Sequence, residues 1–354
     1  MKAAHLAETP TAAGEFAVSL KGLNKSFADV KAVVDLDLEI PQGEFFSMLG
    51  PSGSGKTTVL RIIAGFETAS SGRVLLEGDD VTDLAPFDRD VNTVFQDYAL
   101  FPHMSIQANV EYGLRARKIA KPERAKMAAE AIESVKLTHL ADRLPHQLSG
   151  VQRQRIALAR ALVLRPKVLL LDEPLGALDK QLREEMQVEL KRIQREAGIT
   201  FIFVTHDQEE AMRMSDRIAV FNGGRIEQIG SPREVYEKPA TAFVAGFLGV
   251  SNLLSGEVAE TMLGSSKLVN IRPERIKIAP EKSKVAAGEV AVSGTIIDVA
   301  YTGANTLYVI ETDGGARLIS TRLNEELPGQ DLVFDAGDRV QASFRKELVA
   351  EIPN

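Results

Sequence analysis

Residues 50–57 read Gly50-Pro51-Ser52-Gly53-Ser54-Gly55-Lys56-Thr57, and no other stretch constrains the chain as tightly. The spacing is G-x-x-x-x-G-K-[ST], and it follows the apolar run Phe45-Phe46-Ser47-Met48-Leu49. Glycines let the backbone curl until its N–H groups point inward, and a helix beginning near Gly55 aims its positive end at the same space. Together they make a phosphate cradle. Lys56 is placed to reach the terminal phosphates, and the Thr57 hydroxyl is an oxygen donor suited to the Mg²⁺ that accompanies them. Strand, loop and helix in this order predict an α/β nucleotide-binding domain for ATP or GTP.

Other parts of a phosphoryl-transfer site follow. Lys167-Val168-Leu169-Leu170-Leu171-Asp172-Glu173 is an apolar run of strand length without alternation, which suits a parallel strand buried on both faces. Asp172 is expected at the Mg²⁺, and Glu173 is placed to polarise the attacking water. In Leu148-Ser149-Gly150-Val151-Gln152-Arg153, Ser149 and Gln152 stand at capping-box spacing, so a helix begins there and is expected to expose free N–H groups. That start is a second anion site, and one phosphate loop plus a second anion site suggests an arrangement shared between two subunits. Gly176-Ala177-Leu178-Asp179 precedes another helix, and Thr200-Phe201-Ile202-Phe203-Val204-Thr205 is a second buried strand ending at His206-Asp207.

Composition removes several alternatives. A chain of 354 residues is expected to form two domains. Cysteine is absent, which excludes disulfides, thiol catalysis and thiolate zinc sites. No apolar run approaches the roughly twenty residues of a membrane span, and 1–16, with Glu8 and Glu15, does not read as a secretory signal. A soluble protein is expected, with any membrane work done through a partner. The net charge of -7 disfavours nonspecific nucleic-acid binding.

With these segments in this order, residues 17–248 resemble the ATP-binding cassette family, the ATPase subunits of ABC transporters. The resemblance implies a head-to-tail homodimer that sandwiches two ATP molecules, each between the phosphate loop of one subunit and Ser149-Gly150 of the other. It implies nucleotide contacts from Gly50, Pro51, Ser52, Gly53, Ser54, Gly55, Lys56, Thr57 and Thr58, from Ser149, Gly150 and Gln152, and from Asp179. Gln96 matches the glutamine that touches magnesium and water, Phe27 the aromatic ring that stacks on adenine, and His206 the switch histidine that orients Glu173. Thr57, Gln96 and Asp172 form the implied metal set; Lys56, Gln96, Glu173 and His206 form the catalytic one. Val151 departs from the family's second glycine, and its branched Cβ is expected to crowd the partner's phosphate loop. His103, His139 and His146 read as surface or helix-end residues. A helical subdomain at about 97–165 would present Tyr98, Leu100 and Phe101 to a coupling helix of a membrane subunit.

After residue 249 short alternating segments at 267–271, 290–300, 305–311, 317–321 and 339–344, with the turn Asp313-Gly314-Gly315, predict a small all-β barrel without helices. This part resembles the OB-like C-terminal domain of importer ATPases, through Ile271-Arg272-Pro273-Glu274 and Thr302-Gly303. Residues 250–354 hold eleven basic and fifteen acidic residues, a net charge of -4, which argues against a nucleic-acid ligand. The expected organisation is a flexible tail at 1–15, the ATPase domain at 16–248 and the regulatory domain at 249–354. The expected partners are a second copy, two permease subunits and an extracytoplasmic solute-binding protein, at the cytoplasmic face of the inner membrane. Through 215–222 and 243–249 the chain is most similar to spermidine/putrescine importer ATPases; iron(III), sulfate, glycine betaine and sugars are the alternative solutes. A cassette ATPase acting on nucleic acid or ribosomes is the alternative of another class. It calls for a second cassette or a coiled-coil insertion, and the sequence has neither.

Overall fold

The computed structural model describes residues 15–176, 178–324 and 334–353. Most of the expected tail at 1–15, and Ala177 of the 176–179 loop, lie outside these residues.

Residues up to Pro232 form one compact unit. Strands β1 (Phe16–Phe27) and β2 (Val30–Pro41) make a hairpin, followed by β3 (Phe45–Leu49), α1 (Lys56–Ala64), β4 (Ser71–Leu76), β5 (Asp79–Asp80) and β6 (Val91–Val94). Three helices, α2 (Ile106–Ala116), α3 (Lys121–Ser134) and α4 (Gly150–Leu162), precede β7 (Val168–Asp172). Then come α5 (Lys180–Ala197), β8 (Thr200–Thr205), α6 (Gln208–Met214), β9 (Arg217–Asn222) and β10 (Arg225–Gly230). One sheet has the order β2-β1-β4-β5; the other runs β10-β9-β3-β8-β7-β6.

The second sheet explains why the apolar runs show no alternation. Every residue of β3 and β8 is buried, because each face of the sheet meets a core. Phe45, Leu169, Leu171, Phe201 and Phe203 face the core shared with α2, α3 and α4. Phe46, Met48, Leu170, Ile202 and Val204 face the core shared with α1 and the antiparallel sheet. Each such side chain contributes about 1.5–3 kcal/mol by full burial. Strands β3, β8, β7 and β6 pair in parallel, with Leu49 opposite Thr205, Val204 opposite Asp172 and Leu171 opposite Val94. Parallel pairing carries all four carboxyl ends to one edge of the sheet, the place where open α/β sheets hold ligands.

Residues from Arg233 onward form the second unit. It contains α7 (Pro232–Glu237), α8 (Ala242–Phe247), β11 (Asn252–Leu254), α9 (Gly256–Leu263), β12 (Val269–Ile271), β13 (Lys277–Pro280) and β14 (Glu289–Tyr301). Strands β15 (Asn305–Thr312), β16 (Arg317–Leu323), β17 (Arg339–Arg345) and β18 (Ala350–Glu351) complete it. The sheets are β11-β12-β18 and β13-β17-β14-β15-β16. Ser320 of β16 donates to the carbonyl of Ile276, just before β13, at 2.5 Å and so draws the edges of the longer sheet together. The fold is all-β in its sheets and OB-like.

One expectation is corrected by α9. The second unit does carry a helix, α9: Val258, Ala259, Met262 and Leu263 share one face at helical spacing and pack on the sheet core. The helices α7 and α8 group with the C-terminal strands in the second unit. The cause is Arg272, whose buried guanidinium donates to the carbonyls of Tyr236 at 2.9 Å and Ala245 at 2.9 Å and lies 3.9 Å from the Tyr236 ring. No helix among the described residues is long and apolar enough to cross a membrane.

Candidate functional site

The phosphate loop leaves β3 at Gly50. A β-carbon there would stand 2.5 Å from the Phe221 carbonyl oxygen, so only glycine fits. Gly55 has φ 102 and would bring a β-carbon to 2.4 Å from the Ala32 carbonyl oxygen. Ser54 N–H donates to Pro51 O at 3.2 Å, and Ser54 O accepts from Gly224 N–H at 3.1 Å, which braces the turn around Pro51, Ser52 and Gly53. Gly55 caps α1 without any side-chain bond, so the first N–H groups of the helix keep their donors. Lys56 is buried, and its ammonium donates to Gly50 O at 2.8 Å and Pro51 O at 2.9 Å. Burial pushes that ammonium below its ordinary pKa, while the charges of Glu173 and Asp172 hold it up. Thr57 and Thr58, both half-buried, occupy the first turn.

Asp172 ends β7, and its carboxylate accepts a 3.1 Å bond from the Thr57 hydroxyl. Burial pushes the Asp172 carboxyl above its usual range, against the pull of that bond. Glu173 has φ 46, an uncommon conformation for a side chain of this size. It is held there because Glu173 N–H donates to Val204 O at 3.1 Å and Gly176 N–H donates to Glu173 O at 3.2 Å. His206, the first residue past β8, places Nδ1 3.3 Å from Glu173 Oε2. Gln96 follows β6 by two residues, and a β-carbon at Gly176 would lie 3.6 Å from its Nε2. Lys56, Thr57, Gln96, Asp172, Glu173 and His206 thus meet at one sheet edge.

The oxygens of Thr57 and Asp172 fit a hard divalent cation. Among the described residues no cluster of three or more His, Asp or Glu could hold a metal by itself.

The start of α4 is built otherwise. Ser149 Oγ accepts from Gln152 N–H at 3.3 Å and Gln152 Oε1 accepts from Ser149 N–H at 2.9 Å. The expected free N–H groups are therefore fewer than the sequence reading supposed, because the capping box uses two of them. Gly150 lies against Leu178, 3.6 Å from an imagined β-carbon to Leu178 Cδ2. Val151 is half-buried and packs on the helical core. Asp179 caps α5 by accepting from Leu182 N–H at 3.0 Å. Phe27, at the end of β1, is 45% exposed and offers a ring face, with the Lys25 ammonium 4.7 Å from its centroid. Tyr98 is buried instead of lining a groove, while Leu100 and Phe101 are partly exposed. His103, His139 and His146 are exposed, the last two on short 3-10 turns.

Sequence reading missed a polar network beside His206. Thr205 Oγ1 donates to Glu210 at 2.6 Å, Asp207 N–H donates to Thr205 Oγ1 at 3.0 Å, and Arg183 donates to Asp207 at 3.1 Å. Burial pushes the Glu210 carboxyl up. The spacing Asp207-x-x-Glu210 is a helix-start signal that points to part of it.

Comparison with known proteins decides the family. The ABC transporter family matches residues 33–176, and the TOBE domain family matches 269–350. An Escherichia coli K12 protein, the uncharacterized ABC transporter ATP-binding protein YdcT, is 51% identical over 95% of this chain and 98% of its own. The chain belongs to the ATP-binding subunits of ABC transporters. As an ABC transporter ATPase it binds nucleotide and hydrolyses ATP. The spermidine/putrescine import ATP-binding proteins PotA of Acidothermus cellulolyticus and Thermobifida fusca are each 48% identical; they cover 93% and 95% of this chain, which covers 92% and 94% of theirs. Among solved structures, the dimeric MJ0796 cassette in a post-hydrolysis state with ADP and Pi is 34% identical with a TM-score of 0.54, covering 61% of this chain and 99% of its own. The cbiO1 subunit of Clostridium perfringens gives 0.59 at 32% identity, covering 62% of this chain and 90% of its own.

Proposed function

We propose that this ABC transporter ATPase drives polyamine import from the cytoplasmic face of the inner membrane. It would act as a head-to-tail homodimer, docked on two permease subunits that receive spermidine or putrescine from an extracytoplasmic binding protein. The observation that carries the enzymatic part is the convergence of the phosphate loop, Asp172-Glu173, His206 and Gln96 at one sheet edge. The polyamine assignment draws support from the PotA relatives, each 48% identical over nearly the whole chain.

In this reading the N–H groups of 51–57 and the Lys56 ammonium hold the β- and γ-phosphates, and Phe27 stacks on the adenine. Thr57, Asp172 and Gln96 would hold Mg²⁺, which supplies charge neutralisation at the transferring phosphoryl. Glu173 accepts a proton from the attacking water; its strained backbone and His206 fix where the carboxylate points. Ser149, Gly150 and Gln152, near Asp179, close over the nucleotide of the partner subunit. ATP-driven closure switches the permease outward, and hydrolysis resets it. The TOBE domain serves regulation. In the reconstituted complex, ATPase activity is expected to rise when the binding protein carries spermidine or putrescine. Stimulation by ferric ion, sulfate, glycine betaine or a sugar, with polyamines silent, would reassign the solute.

A further inference from the structure

One side chain joins the two half-sites carried by a single chain. Arg183 sits in the first turns of α5, and its guanidinium reaches three segments. It donates to the Leu178 carbonyl at 3.1 Å and to Asp207 Oδ2 at 3.1 Å, and its Nε lies 3.5 Å from Glu210 Oε1. On one side, Leu178 rests against Gly150, where α4 begins. On the other, Asp207 directly follows His206, and the Thr205 hydroxyl binds both the Asp207 N–H and Glu210. His206 in turn stands 3.3 Å from Glu173. A contiguous path of packed and hydrogen-bonded groups therefore runs from the start of α4 to the carboxylate that faces the phosphate loop.

The path has one open link. Arg183 Nε is buried and has no hydrogen-bond partner, since Glu210 Oε1 at 3.5 Å falls outside bonding geometry. A buried donor left without an acceptor is unfavourable. Arginine suits this place because its planar fork holds several acceptors at fixed angles, which lysine does not.

We propose that Arg183 is a positioning residue that ties the loop bearing Leu178 and Asp179 to His206, so that nucleotide engaged at Ser149-Gly150 in one half-site sets the Glu173–His206 pair in the other. The inference rests on the hydrolytic reading of the site. The experiment uses the full-length protein and compares Arg183→Met, Arg183→Lys and His206→Ala in steady-state ATP hydrolysis. Arg183→Met is expected to lower kcat about tenfold with KM for ATP within about twofold, the signature of a lost transition-state arrangement. Added to His206→Ala, it should lower the residual rate no further, because its effect passes through that histidine. In a Glu173→Gln background, Arg183→Met should still give an ATP-held dimer by size-exclusion chromatography, which separates lost positioning from lost folding. A kcat within about twofold of the parent, or the same proportional loss with and without His206, overturns the proposal. Should Arg183→Met fail to fold, Arg183→Lys decides: full activity overturns the proposal, and a lowered kcat at unchanged KM supports it. Free hydrolysis by Glu173→Gln alone would instead remove the reading of the site on which the proposal stands.

Discussion

Both α1 and α4 begin where an anion is expected, and the two starts are finished differently. At α1 no side chain touches the first N–H groups, and the backbone around Gly50 and Gly55 is wedged against Phe221 and Ala32. At α4 Ser149 and Gln152 close on each other, and Gly150 touches only Leu178 at an ordinary distance. The first start is shaped by close backbone approach; the second closes on itself through its own side chains, with Ser149 exposed.

The comparison breaks first at Glu173. Glu173→Gln keeps the shape beside α1 and removes the base, so kcat is expected to fall by about 10²–10⁴ while ATP binding persists. Purified variant should then accumulate as an ATP-held dimer by light scattering; substantial turnover would take the general-base role away from this residue. Glycine substitutions sharpen the contrast next. Gly50→Ala forces a β-carbon into backbone and is expected to cost about 1–3 kcal/mol, lowering Tm by roughly 2–4 °C per kcal/mol and weakening ATP binding. Gly150→Ala meets only a flexible leucine end, so its stability should stay within about 0.5 kcal/mol of the parent. Equal melting losses at the two positions would show that both helix starts are wedged.

Asp172 tests the cost of the prepared site. Its folded pKa is raised above the ordinary 3.8 by burial. Its contribution to stability is therefore present below that ordinary value and is lost as pH rises through the higher folded value. Asp172→Asn is expected to raise the Tm of nucleotide-free, magnesium-free protein near about pH 8 while abolishing hydrolysis, with the two melting curves converging toward about pH 4. A lower Tm for the variant at every pH would contradict a desolvated carboxylate. The smallest effect belongs to α4. Val151 packs inward on the helical core, so Val151→Gly should lose about 1 kcal/mol of stability and change kcat less than about threefold. A large gain in kcat would restore the crowding expected from sequence.

The parallel core was legible because strands buried on both faces must be continuously apolar, as β3, β7 and β8 are. The loop, the paired carboxylates and His206 were legible because each sits at the end of such a strand. Arg183, Arg89 and Arg272 were not. An arginine in a sequence reads as a surface charge, yet Arg89 is buried and donates to the carbonyls of Ile62 and Ile63 at the end of α1. Only the backbone path shows which carbonyls converge on it. The helix α9 was missed because its eight residues sit among strand signals, and the inward packing of Val151 was not legible because the direction of its side chain follows from the packing of α4.

Arg272 also bears on how such chains can be cut and joined. The residue is 1% exposed, and its guanidinium depends on carbonyls of Tyr236, Ala245 and Val250. A fragment starting just after α8 would strip the Tyr236 and Ala245 acceptors from a buried cation, which proteins tolerate poorly. A fragment starting at α7 carries them along. Recombination that exchanges C-terminal modules between such ATPases therefore has a natural seam near residue 232, ahead of the helices, and a graft made at the visible change from helix to strand would leave a charge stranded inside the donor module.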